Sequence, residues 1–177
     1  LVGSEMEIRD SGKLASVESV KKAKATTEER AHASLHYADL PMFMEAVRTQ
    51  DGIGARALEF CILNANRTTG VLDATWGEFD LEESVWSIPA RRMKGRERHN
   101  IPSSKESIAL IKQQQQLQVG EFVFPNRSNG KSLSQAGMSS VLKRMNKIKE
   151  WKDIHNQLIT VHGFRGCFKT WTTEKTD

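Results

Sequence analysis

This sequence has very little of what usually builds a metal site, a disulfide framework or a membrane anchor. It contains two cysteines, Cys61 and Cys167, in 177 residues. Each sits in an apolar helical pattern with no CxxC spacing, which suits buried free thiols in a reducing compartment. The five histidines do not cluster with them, so no zinc site is expected. No apolar run approaches the roughly 20 residues needed to span a bilayer. No apolar stretch follows a basic start, so the opening "LVGSEMEIRD" is not a signal peptide. Tyrosine occurs once, at Tyr37. No carboxylate cluster suggests magnesium.

What is present is basic charge, unevenly placed. The net charge is +4, weak evidence by itself for an anionic partner. The densest stretch is "RRMKGRER", with Arg91, Arg92, Lys94, Arg96 and Arg98 against one acid, Glu97. It reads either as a solvated hairpin tip or as a phosphate-contacting one.

The pattern divides the chain at about residue 34. Residues 1–34 are polar, with little apolar periodicity, and read as a linker or arm carrying Lys21, Lys22 and Lys24. From there the spacing predicts helices. Leu40, Phe43, Met44 and Val47 mark one helical face, with Asp39 as a cap and Pro41 in the first turn. Leu58, Cys61, Ile62 and Ala65 mark a longer helix over about 55–69, and "VLDATW" a short turn. The period then changes: "SVWSIPA" and "RHNIPSS" alternate, which predicts a β-hairpin through Gly95. Ser103 and Glu106 form a capping box opening another helix. "EFVFP" is expected to be a third strand. Ser134 caps a helix lined by Met138, Val141, Leu142, Met145 and Ile148, and a last helix starts near His162 with Val161, Phe164 and Phe168 inward. The expected fold is α+β and mostly helical, with a small three-stranded antiparallel sheet.

Three sets of polar residues stand out. His162 and Arg165 lie three apart on one helix face. Two basic groups on adjacent turns repel unless an anion sits between them, although a helix end meeting solvent or an acid is an ordinary alternative. Arg67 follows the apolar face of the long helix, where it either compensates a helix dipole or binds an anion. Lys94 sits at the hairpin tip, where neighbouring arginines would lower its pKa toward proton donation; exposed lysines are also commonplace.

In this order, "ALEFCILNANRTTGVLDATWGEFDLEESVWSIPARRMKGRERHNIPSS", "FVFP" and "ITVHGFRGCFKTW" resemble the catalytic domain of phage-type tyrosine recombinases, or integrases. "HYADLPMFMEAVR" is similar to the start of that domain in integrases of the prophage and genomic-island kind. The resemblance covers about residues 34–177. It implies the helical DNA breaking-rejoining fold, with residues 1–34 as the linker from a core-binding domain and 35–177 as an incomplete catalytic domain. It implies DNA integration by phosphodiester transesterification in the cytoplasm of a bacterial or phage-infected cell. The implied partners are double-stranded DNA and other recombinase protomers, with no membrane, metal or small-molecule cofactor. Arg67 matches the first active-site arginine, ahead of the Trp76–Asp80 stretch. Lys94 matches the hairpin lysine, and His162 and Arg165 the HxxR box. Arg91, Arg92, Arg96, Arg98 and His99 become candidate DNA contacts.

Two departures accompany the match. Gly70 stands where the family has an acid that supports the arginines. The nucleophilic tyrosine is expected beyond Asp177, since Tyr37 precedes the whole set and matches the entry segment. The 177 residues alone are therefore expected not to form a covalent DNA adduct. A non-catalytic DNA-binding remnant is the alternative.

Overall fold

The computed structural model describes residues 32–93 and 95–176. The arm carrying Lys21, Lys22 and Lys24 lies outside them, as does Lys94. The elements run α1 (Leu40–Arg48), α2 (Ile53–Leu63), α3 (Thr68–Leu72), β1 (Phe79–Asp80), β2 (Val85–Ile88), β3 (His99–Pro102), α4 (Lys105–Gln115), α5 (Gln135–Ile148) and α6 (Gly163–Lys175). The fold is mostly helical α+β with one three-stranded antiparallel sheet in the order β1-β2-β3.

Helix α2 is the hub, packing against α1, α3, α4 and α5. Its Phe60 is fully buried, with ring centroids 5.2 Å from Trp86, 5.6 Å from Phe124 and 5.9 Å from Phe79. Aromatic clusters of this kind bury much area per residue and set the core's shape. Where α2 crosses α5, a Cβ on Gly54 would lie 2.7 Å from the carbonyl oxygen of Gly137, so only glycine permits that approach. On the other side, Glu59 of α2 is buried and accepts from Arg48 Nε at 2.7 Å, an ion pair that joins α1 to α2.

The hairpin forms as the alternation predicts. β2 pairs with β3 in the register Trp86↔Ile101 and Ile88↔His99, and Trp86 and Ile88 face the core. The third strand differs from expectation: it is β1, pairing Phe79↔Trp86. "EFVFP" makes only single bridges, Thr75↔Phe122 and Pro125↔Ser132. Its backbone bonds are divided between two stretches, Val123 N–H to the Ala74 carbonyl and Leu133 N–H to the Phe124 carbonyl, so no ladder extends, and Val123 and Phe124 are both buried.

Other expectations shift by a turn or a face. The long helix ends at Leu63, not near 69, because Ala65 takes a left-handed φ of 46° and turns the chain out. Arg67 therefore opens α3 instead of closing α2. The cap of α4 is Ser104, whose hydroxyl accepts from the Ser107 N–H, one residue later than expected. On α5, Met138, Val141, Leu142 and Met145 are buried but Ile148 is 82% exposed. At the start of α6, Val161 just before the helix and Phe164 on it pack inward, while Phe168 is half exposed beside Trp171. Both cysteines are free and buried, as read from the sequence. Among the described residues no helix is long and apolar enough to cross a membrane, and no cluster of His, Cys, Asp and Glu could hold a metal ion.

Candidate phosphate-binding cleft

A cleft of about 510 Å³ opens between the α2–α3 loop, the β2–β3 hairpin and α6, lined among others by Asn66, Arg67, Arg92, His99 and Arg165. Its described lining holds three arginines and no carboxylate. Each wall has a local cause. The loop is built by asparagines: Asn64 Nδ2 donates to the Phe60 carbonyl at 2.9 Å and to Ser107 Oγ at 2.9 Å, and Asn66 Oδ1 accepts from the Arg67 N–H at 2.7 Å. These bonds satisfy the end of α2 and pass the chain into α3 with Arg67 as its N-cap residue.

Arg165 comes from the first turn of α6, and His162 stands at the N-cap position of that helix without a side-chain capping bond. The segment His32–Leu35 straps across the same turn. The Ala33 carbonyl accepts from the Thr160 N–H at 3.1 Å, and Ser34 Oγ donates to the Gly163 carbonyl at 2.7 Å. Gly163 permits this contact, since a Cβ there would sit 1.9 Å from the Ala33 carbonyl oxygen. The strap brings His32 against His162, with ring centroids 4.4 Å apart. This pairing was not legible beforehand, because residues 1–34 carry little apolar periodicity.

Electrostatics tie His162 to the arginines. Its pKa is lowered, first by partial loss of solvent and then by the charges of His32, Arg165 and Arg67. It is therefore a mostly neutral imidazole at neutral pH; it is exposed and does not line the cleft itself. Burial pushes the Cys61 thiol up to about 12, against the opposing pull of Arg165. That makes Cys61 an unreactive buried thiol rather than a nucleophile.

The basic hairpin residues do not share one environment. Arg91, Arg96 and Arg98 are exposed. His99 lines the cleft. Arg92 lines it too, but its guanidinium is held by the buried carboxylate of Glu78 and by the Gly70 carbonyl. Sequence reasoning missed Glu78, which lies inside the Trp76–Asp80 stretch without any local mark of burial. Tyr37 lies away from the cleft, in a groove with Leu40, Met44, Phe168 and Trp171. The nearby Glu174 carboxylate raises its pKa.

A helical domain with a small antiparallel sheet and an arginine-walled cleft is the architecture of tyrosine recombinase catalytic domains. The fold superimposes on XerH site-specific recombinase bound to difH substrate with a TM-score of 0.64 at 16% identity, over 81% of this chain and 44% of that one. A lambda integrase (75–356) dimer bound to a COC′ core site matches with a TM-score of 0.59 at 12% identity, over 89% of this chain and 62% of that one. The sequence profile of the phage integrase family matches residues 33–176, and the chain belongs to that family. It is 29% identical to Prophage integrase IntZ of Escherichia coli K12 over 81% of this chain and 34% of that protein. It is 30% identical to Prophage integrase IntA of the same organism over 77% of this chain and 34% of that protein. It is 28% identical to the integrase of Enterobacteria phage P4 over 70% of this chain and 32% of that protein. The chain thus spans about a third of the length of these relatives.

Proposed function

We propose that the chain is the phosphate-activating part of a site-specific DNA recombinase that works by transesterification on double-stranded DNA together with other protomers. The observation that carries this is the meeting of Arg67 and Arg165, distant in the chain, on one cleft, with His162 outside its lining but feeling the charge of both. The phosphorane transition state adds negative charge to its non-bridging oxygens. Two planar guanidiniums grip those oxygens in a fork geometry, and preorganised donors of this kind supply a large share of catalysis. His162, neutral before the phosphate arrives, hydrogen-bonds the phosphate or relays a proton for the attacking tyrosine. As a tyrosine oxygen bonds to phosphorus, the bond to the 5′-oxygen breaks. In the reading taken from the family, Lys94 protonates that leaving oxygen. No step requires a metal, since the arginines provide the positive charge.

Exposed Arg91, Arg96 and Arg98 make phosphate contacts that position the duplex without reading its sequence. Gly70, in the place of the family's acid, favours a second reading: a DNA-binding module with little or no catalysis. Binding of a fluorescent duplex, followed by anisotropy against salt, tests what both share. Arg67→Ala and Arg165→Ala should each weaken binding by about tenfold and lower the salt slope by about one. An isotherm indifferent to both substitutions would overturn the cleft as the phosphate site. Trapping on a suicide substrate separates the two readings. In a chain extended to include the family's tyrosine, a covalent adduct that Arg165→Ala abolishes supports catalysis, and its absence supports the binding module.

A further inference from the structure

Arg92 looks from the sequence like one more phosphate contact, but its surroundings say otherwise. Its side chain is 16% exposed and pairs with Glu78, whose side chain is 4% exposed. One Glu78 oxygen takes Arg92 Nη1, and the other accepts from the Trp86 indole Nε1–H at 3.0 Å. Arg92 Nη2 donates to the Gly70 carbonyl in α3. A carboxylate this deep is costly if left without its cation, so Arg92 cannot swing to a phosphate without stranding Glu78. Glu78 in turn is anchored to the β2 core through Trp86, which is fully buried.

The bond to Gly70 has a geometric consequence. Arg92 closes the turn Ala90–Arg92, which leads two residues later to Lys94. Gly70 lies in α3, whose N-cap is Arg67. One guanidinium therefore ties the hairpin connection to the helix that presents Arg67. At position 70 the chain offers no side-chain acid, only a carbonyl, and Arg92 uses it.

Resting on the phosphate-binding reading above, we propose that Glu78 and Arg92 are positioning residues of the cleft: Glu78 pins Arg92, and Arg92 holds the hairpin connection and α3 so that both face the same phosphate. Arg92 thereby leaves the set of direct DNA contacts. The two roles for Arg92 differ in sign at Glu78. If Arg92 gripped phosphate, Glu78 would compete for it, and Glu78→Gln would tighten DNA binding. If the pair is a clamp, Glu78→Gln loosens the cleft and weakens binding.

The test measures duplex binding by anisotropy across a salt series for the 177-residue chain, wild type and Glu78→Gln, Arg92→Lys, Arg92→Ala and Arg67→Ala. Alongside it, ¹H–¹⁵N spectra follow the Trp86 indole and the Arg67 Nε–H during titration with inorganic phosphate. The clamp predicts about tenfold weaker binding for Glu78→Gln, with the wild-type salt slope. It predicts that Arg92→Lys, which keeps the charge but loses the fork, resembles Arg92→Ala. It also predicts that Glu78→Gln moves the Arg67 Nε–H resonance as well as that of Trp86. Tighter binding by Glu78→Gln overturns it, as does an Arg92→Ala salt slope lowered by about one and restored by Arg92→Lys. Should Glu78→Gln fail to fold, the two Arg92 variants decide the question by the same criteria. A wild-type chain that does not bind duplex, or whose binding ignores Arg67→Ala, removes the phosphate-binding reading and the clamp with it. Binding that depends on Arg67 but not on Glu78 removes the clamp alone.

Discussion

Replacing Gly163 by alanine probes how the HxxR turn is held. Gly163 begins α6, and alanine is the better helix former there by about 1 kcal/mol, so local propensity alone predicts stabilisation. The tertiary contact predicts the reverse. The new Cβ would lie 1.9 Å from the Ala33 carbonyl oxygen and 2.8 Å from its carbon, both backbone atoms with no rotamer to yield. The strap must move away. Doing so breaks the bond from the Thr160 N–H to Ala33 and that from Ser34 Oγ to the Gly163 carbonyl, each worth about 0.5–1.5 kcal/mol. It also exposes Leu35, now 3% exposed, at about 1.5–3 kcal/mol. After the helix gain is subtracted, the expected loss is about 2–5 kcal/mol. With a urea m-value of about 2 kcal/mol/M, the unfolding midpoint falls by about 1–2.5 M. Gly166→Ala is the internal comparison. Its Cβ meets only the Ser34 side chain, at 3.1 and 3.3 Å, so it should cost far less. A midpoint for Gly163→Ala equal to or above wild type would refute the argument that the strap positions His162 and Arg165.

Other outcomes follow from the same geometry. His162 has a free-state pKa held below its ordinary value near 6.5, and a bound phosphate favours its charged form. Binding should therefore take up a proton and strengthen as pH falls through the histidine range; calorimetry in buffers of differing ionisation heat should show the uptake, and His162→Gln should remove it. Phe60→Ala leaves a void among Phe79, Trp86 and Phe124 and should cost about 3–5 kcal/mol by denaturant titration. Cys61 and Cys167, both buried and with thiol pKa values raised by burial, should resist iodoacetamide in the native chain and react on unfolding. Rapid native labelling of Cys61 would show that the core around it opens readily in the native chain.

The sequence determined what depends on local spacing. Alternation placed β2 and β3 (Trp86 and Ile88 inward), and the 3.6-residue period placed α1, α4, α5 and α6 to within a turn. Arg67, His162 and Arg165, through their order, carried the resemblance to the integrase family. Tertiary structure decided the rest. Whether 121–125 makes a strand depends on where its backbone finds partners, and its bonds divide between Ala74 and Leu133. Whether α2 reaches Arg67 depends on the backbone of Ala65, which no propensity announces. Five basic residues in one stretch look alike in a sequence, yet only packing against Glu78 and Gly70 sets Arg92 apart from Arg91, Arg96 and Arg98. Periodicity reports how a segment meets its nearest turn or strand. The meeting of Arg67 with Arg165 depends on helices and a hairpin far apart in the chain closing on one another, which only the packed core can fix.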